Sequence, residues 1–121
     1  MSAILIAGLL FAQTSAITVE ASRGQPDVGF HELVADRPAD AIVRIAANRT
    51  LDADDPAALI NRGTAEARLG RFAAAGDSYR AALLSRQRYD LELRDGSWVD
   101  SRAAARLAIR MLGNGETLAL K

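Results

Sequence analysis

Apolar residues recur along this chain at helical spacing in four consecutive stretches, each closed by a breaker. Phe30, Leu33 and Val34 share one face of a short helix predicted from Val28 to about Ala35, with Asp27 placed to cap it. The run Asp36-Arg37-Pro38 then breaks and restarts the chain, with Asp36 or Arg37 at the cap. Pro38 is tolerated in the first turn, where no intrahelical donor is lost. The next helix reaches about Asn48, with Ala41, Ile42 and Ile45 inward. After the acidic loop from Leu51, Asp55 caps a third helix running from Pro56 to about Leu69, with Leu59, Gly63, Glu66 and Ala67 toward its partner. Gly70 ends it, because glycine takes the left-handed conformation of a helix terminus without strain. A fourth helix, Phe72 to about Ser85, buries Ala75, Tyr79, Ala82 and Leu83.

The period then changes. Tyr89 to Leu93 alternates with period two, Asp95-Gly96 is a hairpin turn signal, and Trp98-Val99 resumes the apolar pattern. A two-stranded ribbon over 89–99 is predicted, laid against the helices through Tyr89, Leu91, Leu93 or Trp98. Trp98 is expected in the core, as a lone tryptophan beside a hairpin usually is. Asp100 or Ser101 caps a last helix over 100–112, whose apolar residues are Leu107, Ile109, Met111 and Leu112. Arg102, Arg106 and Arg110 form a stripe read as its solvated face. Gly113-Asn114-Gly115 is expected to stop this helix, leaving 113–121 as a tail.

One pattern spans several elements. Gly63, Gly70, Phe72, Ala75, Tyr79, Ala82 and Leu83 form an ordered series of small and large positions. An echo lies 34 residues upstream, where Gly29 matches Gly63, Ala41 matches Ala75 and Ile45 matches Tyr79. These residues resemble the tetratricopeptide repeat family, in which small residues let two antiparallel helices approach and large ones fill the gaps. The resemblance covers about Asp27 to Arg88. It implies an all-α fold: antiparallel helical hairpins over 27–88, stacked as a right-handed solenoid of about two repeats, with the ribbon and a C-terminal capping helix added.

Departures from the family pattern are specific. Arg62 stands where leucine is usual and Glu66 where tyrosine is usual. In the upstream copy Asn48 replaces a small residue, Ala53 a common proline, and Pro26 truncates the first helix. Family members usually bind peptides or proteins along the concave face of their first helices. Carried onto this chain, that face is Phe30, Val34, Ile60, Thr64 and Arg68. The family's clamp for a terminal carboxylate does not carry over. Asn61 fits one of its positions, but Pro26 and Phe30 stand where lysine and asparagine are required.

At the start of the chain, Ala3 to Ala12 form an apolar run of signal-peptide length, followed by Thr14, Ser15 and Ala16. A signal peptide over 1–16 is expected, with the first-choice cut after Ala16 and a second after Ala21. Residues 17–26 then read as a linker, broken by Gly24 and Pro26. Gln13, Thr14, Ser15 and Thr18 interrupt the run before the ~20 apolar residues a membrane span needs. A buried N-terminal helix of the domain is the rival reading. Export would put the chain in the periplasm or outside the cell, with membrane contact only through an uncleaved signal segment.

Charge and chemistry narrow the function classes. Net charge is +0 and all basic residues but Lys121 are arginine, so no global field favours nucleic acid. There is no cysteine, which removes disulfides and thiolate metal sites. His31 is the only histidine; without cysteine and flanked by Phe30 and Glu32, it reads as a surface or half-buried side chain and not as a metal ligand or base. Ser101 next to Asp100 is better explained as a helix cap than as half of a catalytic triad. The acidic loop Asp52-Ala53-Asp54-Asp55 lacks the spacing, central glycine and terminal glutamate of a calcium loop. No cofactor is expected. The leading expectation is a non-enzymatic module of the cell envelope that binds another protein or peptide. A self-associating or envelope-assembly component is the alternative.

Overall fold

The computed structural model describes residues 17–20 and 27–119. The expected signal peptide over 1–16, the remainder of the expected linker over 21–26, and residues 120–121 lie outside them. The molecule is mostly helical, with a small antiparallel sheet. In chain order the elements are β1 (Val19–Glu20), α1 (Phe30–Val34), α2 (Pro38–Ala47), α3 (Pro56–Arg68), α4 (Phe72–Leu84), β2 (Asp90–Leu93), β3 (Trp98–Asp100) and α5 (Ser101–Ala119).

The helical pairs α1–α2 and α3–α4 are joined by the same turn. Gly70, at φ 79°, donates its N–H to Ala67 O at 3.0 Å while Arg71 N donates to Glu66 O at 2.8 Å. This crossed pair satisfies the carbonyls that a helix end leaves free. Asp36 and Arg37 repeat it, with N–H groups on Leu33 O at 3.1 Å and Glu32 O at 2.8 Å. Asp36 therefore terminates α1 rather than capping α2. It carries a left-handed φ of 57°, a conformation in which aspartate is less strained than most residues. Arg37 and Arg71 hold the N-cap positions of α2 and α4, neither with a side-chain cap bond. Asp27 does not cap α1 either. Gly29 is the N-cap, and Asp27 Oδ1 accepts the Gly29 N–H at 2.8 Å. At α3 the expected cap is present, Asp55 Oδ2 accepting the Ala58 N–H at 2.9 Å ahead of Pro56.

Within each pair the echo is a packing contact. A Cβ on Gly63 would lie 2.6 Å from Tyr79 Cε1 and 3.2 Å from Ala75 O, so α3 and α4 meet at this glycine. A Cβ on Gly29 would lie 3.2 Å from Ile45 Cδ1 and 3.4 Å from the Ala41 Cβ. Ala41, Ala75 and Ala82 are fully buried and Tyr79 nearly so. Phe72, by contrast, is 37% exposed.

Beyond Arg88 the structure departs from expectation in three places. The sheet has three strands in the order β1-β2-β3, because the start of the expected linker pairs antiparallel with β2, Val19 opposite Leu93. Leu91 points into the core beside its partner Val99, whereas Glu92 and Trp98 form the next pair and face the other way. Trp98 is thus 56% exposed, a correction that follows from strand parity. Lastly, α5 continues through Gly113-Asn114-Gly115 to Ala119, so the expected tail is largely helix. Its buried residues are the small ones, Ser101, Ala104, Ala105 and Ala108, which lets it pack closely on α4. Leu107, Ile109, Met111 and Leu112 are only partly covered. Arg106 and Arg110 face solvent as expected, but Arg102 is half-buried and donates to Ser85 O at 3.2 Å.

Candidate functional site

The middle of α3 carries Ile60 in the core and turns Asn61 and Thr64 toward the segment that leads into β1. All three are fully buried. Asn61 Oδ1 accepts the Val19 N–H at 2.9 Å, and its Nδ2 donates to Val19 O at 2.8 Å and Val28 O at 3.0 Å. Thr64 Oγ1 donates to Ile17 O at 2.6 Å. That commits its single proton, so Tyr79 O–H is the donor in its 3.0 Å contact with Thr64 Oγ1. Burial raises the Tyr79 pKa and keeps the phenol neutral, as a donor must be.

The strand residues follow from ordinary β geometry. Successive main-chain groups alternate sides, so the N–H and C=O of Val19 and the C=O of Ile17 all point away from β2. The face of α3 supplies what a further strand would have supplied. Asn61 is itself an amide and pairs with one residue of main chain as a neighbouring strand does. Ile17, Thr18 and Val19 are 8%, 4% and 0% exposed, so this segment belongs to the core. The linker expected over 17–26 therefore begins instead as a structural strand.

Of the residues expected on an open concave face, Ile60 and Thr64 are both fully buried, and Thr64 is bonded to Ile17 just ahead of β1. Arg68 is half-buried and donates from Nη1 to Leu33 O at 2.6 Å, tying α3 to the end of α1. Phe30 is half-buried and stacks edge-on to exposed His31 with ring centroids 5.6 Å apart. Val34 is 40% exposed. Asn61, read from sequence only against a carboxylate clamp, turns out to be the central side chain. The available signal was a carboxamide between Ile60 and Gly63 on an otherwise inward face.

The two departures from the repeat pattern find a physical reason. Arg62 Nε donates to Ser78 Oγ at 3.1 Å, and Ser78 Oγ donates to Glu66 Oε1 at 2.6 Å. Ser78 is 1% exposed, so this relay joins α3 to α4 with polar groups where apolar ones were expected.

The acidic loop is held internally. Gln87 Nε2 donates to Asp52 Oδ2 at 3.0 Å and Asp54 Oδ1 at 3.1 Å, and Tyr89 O–H donates to Asp55 Oδ1 at 2.6 Å. Burial, reinforced by the Asp55 carboxylate, raises the Tyr89 pKa. Among the described residues no group of three or more His, Asp or Glu could hold a metal ion. Ser101 binds the Tyr89 N–H through Oγ at 3.2 Å, while Asp100 Oδ2 accepts Ala103 N–H at 3.2 Å and pairs with Arg88. Asp100 thus caps the first turn of α5, while Ser101 ties its first residue to Tyr89. Among the described residues no helix is long and apolar enough to cross a membrane.

A scan against protein-family models finds no match, and neither do searches of curated proteins and of solved structures.

Proposed function

We propose that this chain is an exported, tetratricopeptide-like module of two helical hairpins that binds another protein or peptide and catalyses no reaction. The observation that carries this reading is the repetition, 34 residues apart, of one turn and one close packing contact: Gly63 on Tyr79 and Ala75, Gly29 on Ile45 and Ala41. Further support comes from the inner face of α3, which holds extended main chain through Asn61 and Thr64. The accessible part of the expected binding face is Phe30, Val34 and the outer part of Arg68. Co-purification from envelope extracts should return a defined partner that the double variant Phe30→Ala/Val34→Asp loses. The same set of proteins on both baits would remove the reading.

The export part has its own physical argument. Cleavage after Ala16 leaves Ile17 to Val19 in the core, whereas cleavage after Ala21 would delete them and strip the buried Asn61 of both its bonds to Val19. N-terminal sequencing of the mature chain should therefore read from Ile17. A retained Met1 or Ser2 would count against export.

A second reading, self-association, is favoured by one observation: Trp98 is 56% exposed on β3, the outer strand of the sheet. Light scattering at high concentration tests it, a strict monomer removing it.

A further inference from the structure

The chain carries its own ligand. We infer that the cleft between α3 and β2 is a receptor for an extended peptide, occupied in cis by Ile17 to Glu20 and open to a partner's strand of the same chemistry when that segment leaves. This rests on the peptide-binding reading above, adds a site distinct from the Phe30–Val34 face, and names the ligand class for it.

Three features of the cleft define what it accepts. First, it reads main chain: the Val19 N–H and C=O on Asn61, and the Ile17 C=O on Thr64. None of these side chains is charged, so the requirement is an extended backbone and not a charged terminus. Second, the other side of the segment lies on β2, with Val19 opposite Leu93 and Glu20 opposite Glu92, which sets an antiparallel direction. Third, the side chains are enclosed, Val19 completely. The natural occupant Ile17-Thr18-Val19 is β-branched at each position, the type that favours extended backbone. The ligand class is therefore a short β-branched strand with an aliphatic residue in the Val19 place.

Occupancy in cis also sets the affinity. A segment of the same chain competes at an effective concentration on the order of mM, so a free peptide meets an apparent affinity weakened by that competitor. Emptying the cleft should remove the handicap. Val19→Asp does this, because a carboxylate has no partner in a fully enclosed apolar place.

The test uses the full-length chain and a fluorescently labelled synthetic peptide of residues 15–22. By anisotropy, Val19→Asp should bind it saturably and at least ~10-fold more tightly than wild type, the ratio that ~mM competition gives for an intrinsic Kd of ~0.1 mM or below. Adding Asn61→Ala to that variant should abolish binding. A second variant covers the case in which Val19→Asp does not fold. The Val19 N–H is engaged by Asn61, so Val19 and Leu93 form a non-hydrogen-bonded pair, whose Cα separation of about 4.5 Å suits a disulfide. In this cysteine-free chain, Val19→Cys/Leu93→Cys can be locked by oxidation. The locked form should not bind the peptide, and reduction should restore binding. Equal binding by locked and reduced forms, equal affinity of wild type and Val19→Asp, or no binding to any form would overturn the inference. If the peptide binds as described but extracts yield no partner, the cleft stands and the proposed function falls. If the locked form captures the partner as well as wild type does, the function stands and this cleft is not its site.

Discussion

The two helical pairs share a turn and a packing contact yet differ in what surrounds them. In the second pair α3 is thirteen residues long and α4 lies between α3 and α5. In the first pair α1 has five residues, and the far side of α2 is open, with Val43 66% exposed. A repeat unit is stable when neighbours cover both of its sides, and a terminal unit pays in exposed apolar surface. The same three positions thus do different jobs: Gly63 admits a buried aromatic ring, while Gly29 supplies a left-handed backbone at φ 80°.

The largest expected contrast lies at positions 27 and 61, which are 34 residues apart as Gly29 and Gly63 are. Asn61→Ala orphans the Val19 N–H, Val19 O and Val28 O in a buried site, and should cost about 3 kcal/mol at ~1–3 kcal/mol per orphaned group. Asp27→Ala removes the acceptor of Gly29 N–H at a half-buried position and should cost about 1 kcal/mol. Urea melts of both variants measure the difference, and equal losses would show that the strand contributes little.

Overpacking sharpens the comparison next. Ala75→Leu pushes on an α4 confined on two sides and should cost about 3 kcal/mol, the upper part of the usual range. Ala41 is equally buried, but α2 can move outward, so Ala41→Leu should cost about 1 kcal/mol. An unchanged melting temperature for Ala75→Leu would mean the helices do not meet there.

The glycines separate crowding from backbone strain. Gly63→Ala gains about 1 kcal/mol in helix propensity but drives a Cβ to 2.6 Å from the ring of a nearly buried tyrosine, for a net loss of about 2 kcal/mol. Gly29→Ala should lose about 1–2 kcal/mol because its φ is left-handed. The Cβ at Gly29 would meet the end of a flexible aliphatic chain and that at Gly63 a nearly buried ring, so Gly63→Ala should be the more destabilising of the two. Thermal melts reversing that order would exchange the two explanations.

The smallest effect is one of pH. Tyr79 and Tyr89, both attached to the second pair, have pKa values raised above the ordinary 10.0, chiefly by burial. A raised folded-state pKa means that the unfolded chain loses its proton first. Their contribution is fully present below about pH 10 and is lost as pH rises from there through the folded-state values. Urea midpoints should therefore fall above pH 10, and Tyr89→Phe should blunt the fall. A flat profile would leave the phenols without a role.

Much of this arrangement was readable residue by residue. Asp55-Pro56, Gly70 and Asp95-Gly96 announce a cap, a stop and a turn because each depends on local backbone chemistry. The Gly29/Gly63 echo was readable for the same reason, since close helix approach restricts residue size wherever it occurs. The candidate site was readable only in part. Ile60 and Thr64 were read as open to a partner, because nothing near them in sequence names what buries them. Arg62 and Glu66 looked like defects until Ser78, on another helix, joined them.

By itself, then, the sequence determined the four helices over 27–88, their turns, the hairpin and the 34-residue echo, because spacing, caps and glycine conformations are local properties. Only the tertiary structure decided that Ile17 to Glu20 joins the sheet, that Trp98 faces solvent, that α5 packs through alanines, and that Asn61 holds the main chain of Val19. Those outcomes depend on strand parity and on partners more than 40 positions away, such as Asn61 and Val19 at a separation of 42 residues, where no local pattern reaches.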